Sequence, residues 1–148
     1  MITINRLSNE DAHFLLKAAA DKARAIGVPM CIAVADESGN LIAFDRMDGG
    51  KVSSISIAID KAFTAAAARN GTHVYGELCQ PGKPTFGIHI TNGGRFCIIG
   101  GGLPIVVDGE VVGGIGLSTG TAQQDLECAE AAVAAFQDIL ENLKGGTS

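Results

Sequence analysis

The chain has 148 residues, 47% of them hydrophobic and only 18% charged, with 20 glycines and a formal net charge of −5. That length and apolar content suffice for one domain, spanning residues 1–148, with a core of its own, while the acidic balance and the lack of any Lys/Arg cluster argue against nucleic acid and anionic membrane as main partners. Low charge and a mean hydropathy of +0.27, with no membrane-length apolar run, point to apolar surface hidden between subunits of a homo-oligomer.

The opening MITINRLSNED has no apolar h-region, so a secretory signal is not expected and a cytoplasmic location is. Ser8 is a good N-cap, with Glu10 and Asp11 in the first turn, and Ala12, Leu15, Leu16, Ala19, Ala23 and Ile26 keep one helical stripe. Gly27 ends that helix and Pro29 prevents its return. Cys31 to Ala35 and Leu41 to Arg46 read as strands joined by the turn residues Glu37-Ser38-Gly39-Asn40. After the loop Met47–Gly50, Ser53 or Ser54 caps a second helix that runs to about Arg69 and stops at Gly71. It is apolar nearly all round, so burial on more than one side is expected, with Ala66 a candidate contact to a partner.

Thr72 to Gly87 is loop-rich, with a candidate helical turn around Val74–Leu78. Ile88–Ile90 is a candidate strand, Asn92-Gly93-Gly94 a turn, and Phe96–Ile99 a strand. Gly100, Gly101 and Gly102 form a loop that lets backbone approach a neighbour or ligand closely. Leu103–Val107 and Glu110–Leu117 are strands of a hairpin turned by Asp108-Gly109, with Pro104 at the entry. After the loop Ser118–Gly120, Thr121 and Gln124 make the capping box of a last helix, Ala122–Leu143. Hairpins make the sheet antiparallel, and helices flank it on both sides.

Most motifs have an ordinary reading beside a functional one. Gly114-Ile115-Gly116 with Gly120 imitates a dinucleotide fingerprint, but no further strand follows the helix to complete a βαβ unit. Gly50-Lys51-Val52 lacks the Ser/Thr of a Walker A motif. Ser118, Thr119 and Thr121 open a helix, where free N–H groups suit a carboxylate or phosphate, unless Thr121 and Gln124 already satisfy those donors. Arg46 leaves a strand near Asp48 and can clamp a carboxylate, or pair with Asp48 at the surface. Lys61, between apolar neighbours, needs a partner. Asp60 points about 100° away around the helix, and a structural salt bridge is the commoner use of such a lysine, a proton-transfer amine the rarer. His13 lies off the apolar stripe with Lys17 and Arg24; a solvated imidazole is the default, and at a subunit groove it can ligate haem iron. Cys31, Cys79, Cys97 and Cys128 form no C-x-x-C, and no Ser-His-Asp or Cys-His arrangement follows from spacing.

VADESGNLIAFDRMDGG, the SxxxAxDKAFTAA of the second helix and GGGLPIVVDGEVVGGIGLSTGTAQQD resemble the GlcG/HbpS-like family, which includes the C-terminal domain of PduO-type proteins. The resemblance covers nearly the whole chain. It implies an α/β (α+β), profilin-like fold, with a five-stranded antiparallel sheet flanked by helices on both faces. It also implies homo-oligomers, often octamers, haem binding in several members, and a place beside glycolate, diol or glycerol catabolism. One departure stands out: the family's usual GxSG is here Gly116-Leu117-Ser118-Thr119-Gly120, with Thr119 inserted. The expected function is therefore a cytosolic small-ligand-binding protein for haem or a related tetrapyrrole. Its ligand would lie among Arg46, Asp48, Gly100, Gly101, Gly102, Ser118, Thr119 and Thr121, with His13 the candidate axial ligand. A second reading is an enzyme or accessory acting on a small hydroxy- or keto-acid, with Arg46 as clamp and Lys61 or Asp125 in proton transfer. A third is an interaction protein without a ligand.

Overall fold

In the computed structural model, which describes residues 1–146, the order is α1 (Asn9–Ile26), β1 (Cys31–Asp36), β2 (Leu41–Arg46), α2 (Ser54–Ala68), α3 (Thr72–Leu78), β3 (Gly102–Val107), β4 (Glu110–Ser118) and α4 (Ala122–Gly145). The sheet is antiparallel throughout, in the order β2-β1-β4-β3. It has four strands, not five. Ile88–Ile90 is a 3₁₀ turn entered through Gly87 in the left-handed region, φ 98°. Phe96–Ile99 makes no strand pairing either: the Cys97 N–H donates to Thr64 Oγ1 of α2 at 2.9 Å, and Phe96 packs edge-on against Tyr75 of α3. An apolar stretch anchored on a helix in this way is held without a sheet neighbour.

The local signals produce the elements they name. Ser8 and Asp11 form a reciprocal capping box on α1, and Gly27 ends it at φ 74°. Asp108 and Gly109 both have positive φ, as a tight hairpin turn demands. Pro104 sits on β3, an edge strand, where the missing N–H costs the ladder nothing. Two details of α2 differ. Neither serine caps it through a side chain, since Ser54 instead accepts from Ser118 Oγ at 3.0 Å. The helix is closed by Arg69 in the left-handed region, and Gly71 is the N-cap of α3.

Helices α1 and α4 cover one face of the sheet through Leu15, Ile32, Val34, Ile105, Ile115, Leu117 and Phe136. Helix α2 covers the other, with Ala58 and Ala62 on Cys31, Ala33 and Ala35. It lies unusually close to β4. A Cβ on Gly114 would sit 2.6 Å from the Ala62 carbonyl, and one on Gly116 would overlap the Ala58 carbonyl. The Gly-x-Gly of β4 is therefore a helix–sheet packing device. Ala66 meets Gly114 in this layer and is buried at 1% exposure, so it faces the sheet rather than a partner. Part of the outer face of α2 is covered by the chain itself, where the Arg95 guanidinium lies 4.1 Å from the Phe63 ring centre and 3.1 Å from Asp60. Ile55, Ile57 and Ile59 stay half-buried.

Candidate functional site

At the end of the sheet where β4 runs into α4, two of the sequence candidates meet. Lys61 reaches from α2 past the sheet to the first turn of α4, where its Nζ donates to Asp125 Oδ2 at 3.0 Å and to the Leu117 carbonyl at 2.8 Å. The Gly120 N–H donates to the other carboxylate oxygen at 3.1 Å. Lys61 is 1% and Asp125 2% exposed. Burial pushes the Asp125 carboxyl up, against the Lys61 ammonium and the Gly120 N–H, which hold it down. The pair ties the two helical layers together around the end of the sheet.

Gly100–Gly102 closes over this pair. Gly101 has φ 125°, and a Cβ there would fall 2.7 Å from Asp125 Cβ and 2.9 Å from Lys61 Nζ. Gly102 donates its N–H to Thr72 Oγ1 at 2.9 Å. The glycine loop and the start of α4 thus converge, and what they admit is the chain's own ammonium and carboxylate. At the start of α4 the capping box is closed: the Gln124 N–H donates to Thr121 Oγ1 at 3.2 Å, and the Thr121 N–H to Gln124 Oε1 at 3.0 Å.

Ser118 is buried on Ser54, and Thr119 has φ 122°, a left-handed value that costs a β-branched residue about 1–3 kcal/mol. Thr119 Oγ1 accepts the Lys51 N–H at 3.1 Å, and the Cys31 thiol donates to the Lys51 carbonyl at 3.6 Å, so the strained residue is tied through Lys51 to β1.

Arg46 lies at the same end of the sheet but apart from the glycine loop. It is opposite Cys31, which is opposite Ser118, so two strand spacings, about 10 Å, separate Arg46 from Ser118. The Gly102 loop is one strand further away. Arg46 and Asp48 instead line a cleft of about 590 Å³ with Arg24, Val28, Asp45 and Met47. A second cleft, of about 300 Å³, shares Arg24 and Asp45 with the first and is lined by His13, Leu16, Lys17, Ala20 and Phe44. Both lie along the outer edge of β2, between that strand and α1, and together they form the candidate groove. No hydrogen bond or ion pair involves the Arg46 guanidinium among the described residues, so the Arg46–Asp48 surface pair is not formed. Arg24 and Lys17 both contact Asp21, at 3.1 and 2.8 Å, and Lys17 holds the Asp21 carboxyl below its ordinary value.

The sequence reading missed Arg24 as a groove residue, although its spacing from His13 and Lys17 already placed all three on one face of α1. It also missed a cysteine–histidine pair, Cys79 Sγ and His89 Nδ1 3.2 Å apart, for which spacing carries no signal because the intervening loop has no fixed geometry. No group of three or more metal-ligating side chains occurs among the described residues. No described helix is long and apolar enough to cross a membrane.

Known proteins share this architecture. The family described as haem degrading protein, HbpS-like, matches residues 7–134. An uncharacterised 15.0 kDa protein of Citrobacter freundii, from the dhaT–dhaS intergenic region, is 40% identical over 125 residues, 84% of this chain and 88% of that one. GlcG of Escherichia coli K12 is 35% identical over 112 residues, 76% of this chain and 81% of that one. The crystal structure of a PduOC–haem complex superposes with a TM-score of 0.84 at 34% identity, covering 88% of this chain and 94% of the other. With most of its length matched in sequence and in fold, this chain belongs to the GlcG/HbpS-like family.

Proposed function

We propose that the protein binds haem or a related tetrapyrrole in the groove along the β2 edge, with His13 as axial ligand and Arg46 as a partner for a propionate. The observation that carries this reading is that His13 and the unpaired Arg46 line two clefts that share Arg24 and Asp45 in their walls. The fit is chemical as well as spatial. Leu16, Ala20, Phe44, Val28 and Met47 offer apolar wall, His13 an imidazole, and Arg24 and Arg46 guanidiniums for carboxylates. Bound haem would supply an iron centre and visible absorption; the chain's own part is to hold the ring, the axial position and the carboxylates. The haem complex of PduOC, a relative at 34% identity, supports haem as the kind of ligand.

Haemin titration followed in the Soret region tests it. Wild type should give a saturable shift, His13→Ala an altered spectrum, and Arg46→Ala an affinity weakened by about 1–3 kcal/mol. No spectral change with wild type refutes haem binding, and normal affinity in folded Arg46→Ala moves the carboxylate site elsewhere.

The unpaired Arg46 equally suits the carboxylate of a small hydroxy- or keto-acid, which keeps a metabolite-binding accessory of a catabolic operon as the second reading. Lys61 and Asp125 are too buried to serve that reading as proton-transfer groups in this conformation. In either case the protein acts in the cytosol as a homo-oligomer, an octamer on the family's pattern, that covers Ile55, Ile57 and Ile59. Light scattering that returns a 15.1 kDa particle at micromolar concentration refutes the assembly.

A further inference from the structure

The long segment between α3 and β3 carries a side-chain pair for which haem binding has no use. Cys79 is the C-cap residue of α3 and is 5% exposed; His89, ten residues on, is exposed in the 3₁₀ turn Ile88–Ile90. Their Sγ and Nδ1 atoms are 3.2 Å apart. The segment between them is otherwise held by its own turns, with Lys83 N–H on the Gln80 carbonyl and Ile88 N–H on the Thr85 carbonyl. Of residues 81–90, His89 is the one whose side chain hydrogen-bonds the body of the fold, among the described residues.

This thiol differs from the other three in its partner: among the described residues, Cys31, Cys97 and Cys128 have no imidazole beside them. The thiolate is the reactive form of cysteine, and an imidazole nitrogen at hydrogen-bond distance can take the thiol proton and remain beside it as counter-ion. Because the His89 ring is exposed, that proton exchanges with water.

We propose that Cys79 and His89 form a nucleophile–base pair, a site for covalent capture of small carbon electrophiles of the activated-alkene class, the soft carbon acceptors that suit a thiolate. In the step, the Cys79 proton passes to His89 Nδ1 and sulfur forms an S–C bond at the β-carbon of the alkene. The π pair moves toward the activating carbonyl, and the α-carbon takes a proton back from the imidazolium or from water. No oxidant or reductant is required.

N-ethylmaleimide, an alkene of this class, is the probe. Whole native protein is given a substoichiometric amount near neutral pH for short times, and label at each cysteine is measured by peptide mass mapping. Cys79 is expected to label about tenfold or more faster than Cys31, Cys97 and Cys128. In denaturant the four thiols should label at similar rates, which shows that the preference belongs to the fold. His89→Gln, on an exposed turn, keeps a polar side chain that cannot carry the proton; it should slow Cys79 labelling by about tenfold while the melting temperature stays at the wild-type value. Native Cys79 labelling no faster than Cys97, or at wild-type rate or above in His89→Gln, overturns the proposal.

Discussion

Replacing Asp125 by Ala would leave the Lys61 ammonium buried, with the Leu117 carbonyl as its one remaining partner. A buried ion pair broken from one side costs about 3–5 kcal/mol, because the surviving charge stays desolvated. The pair is 1% and 2% exposed, so solvent screening gives little relief. The Gly120 N–H, which also loses its acceptor, is only half-buried and can recover water. About 3–5 kcal/mol is a large share of a typical stability of about 5–15 kcal/mol, and at this size it lowers the melting temperature by roughly 6–20 °C. Lys61→Met should behave differently with pH. With the ammonium gone, the Asp125 carboxyl sits above its ordinary 3.8 and takes up a proton on acidification. The folded state then binds more protons than the unfolded state between 3.8 and the raised value, so stability falls as pH rises through that window. The deficit of Lys61→Met against wild type should therefore shrink as pH falls from 7 toward 4. The double variant Lys61→Met/Asp125→Leu buries no charge and should be more stable than Asp125→Ala alone. Urea unfolding followed by far-UV circular dichroism is the assay, since the chain has no Trp and one Tyr. A cost below about 1 kcal/mol for Asp125→Ala would refute the reasoning.

Gly116→Ala should destabilise by about 1–3 kcal/mol, because its Cβ would overlap the Ala58 carbonyl and α2 must lift off the sheet; a melt unchanged from wild type would show that the layer has room. Arg6 holds the Glu37 carboxyl down from 4.5 to about 2, so this pair contributes stability that is complete above pH 4.5 and is lost as pH falls toward 2. Arg6→Ala should lose less stability than wild type over that interval in pH-dependent melts; parallel curves would remove the pair from the acid response.

The chain's own sequence decided what its local chemistry could decide. Ser8 with Asp11, Thr121 with Gln124, Gly27 and Asp108-Gly109 work through bonds that span two to five residues, so α1, α4 and the β3–β4 hairpin were legible where they stand. A demand could be read in the same way: Lys61 on an apolar helix requires a partner. The partner could not, since Asp125 is 64 residues away and reaches Lys61 only because α2 and α4 lie on opposite faces of one sheet and meet at its end. The same holds for Gly114 and Gly116. Their small size was visible, but it took the position of α2 to make it a packing requirement rather than a nucleotide fingerprint. Ile88–Ile90 and Phe96–Ile99 read as strands because their residues suit a strand, and tertiary context overrode that preference by satisfying one segment within its own turn and the other on Thr64. The candidate groove was hardest to foresee. His13 and Arg46 belong to different elements, and only the packing of α1 beside β2 puts them on one surface, since side-chain periodicity names the face of an element but not which element will lie against it.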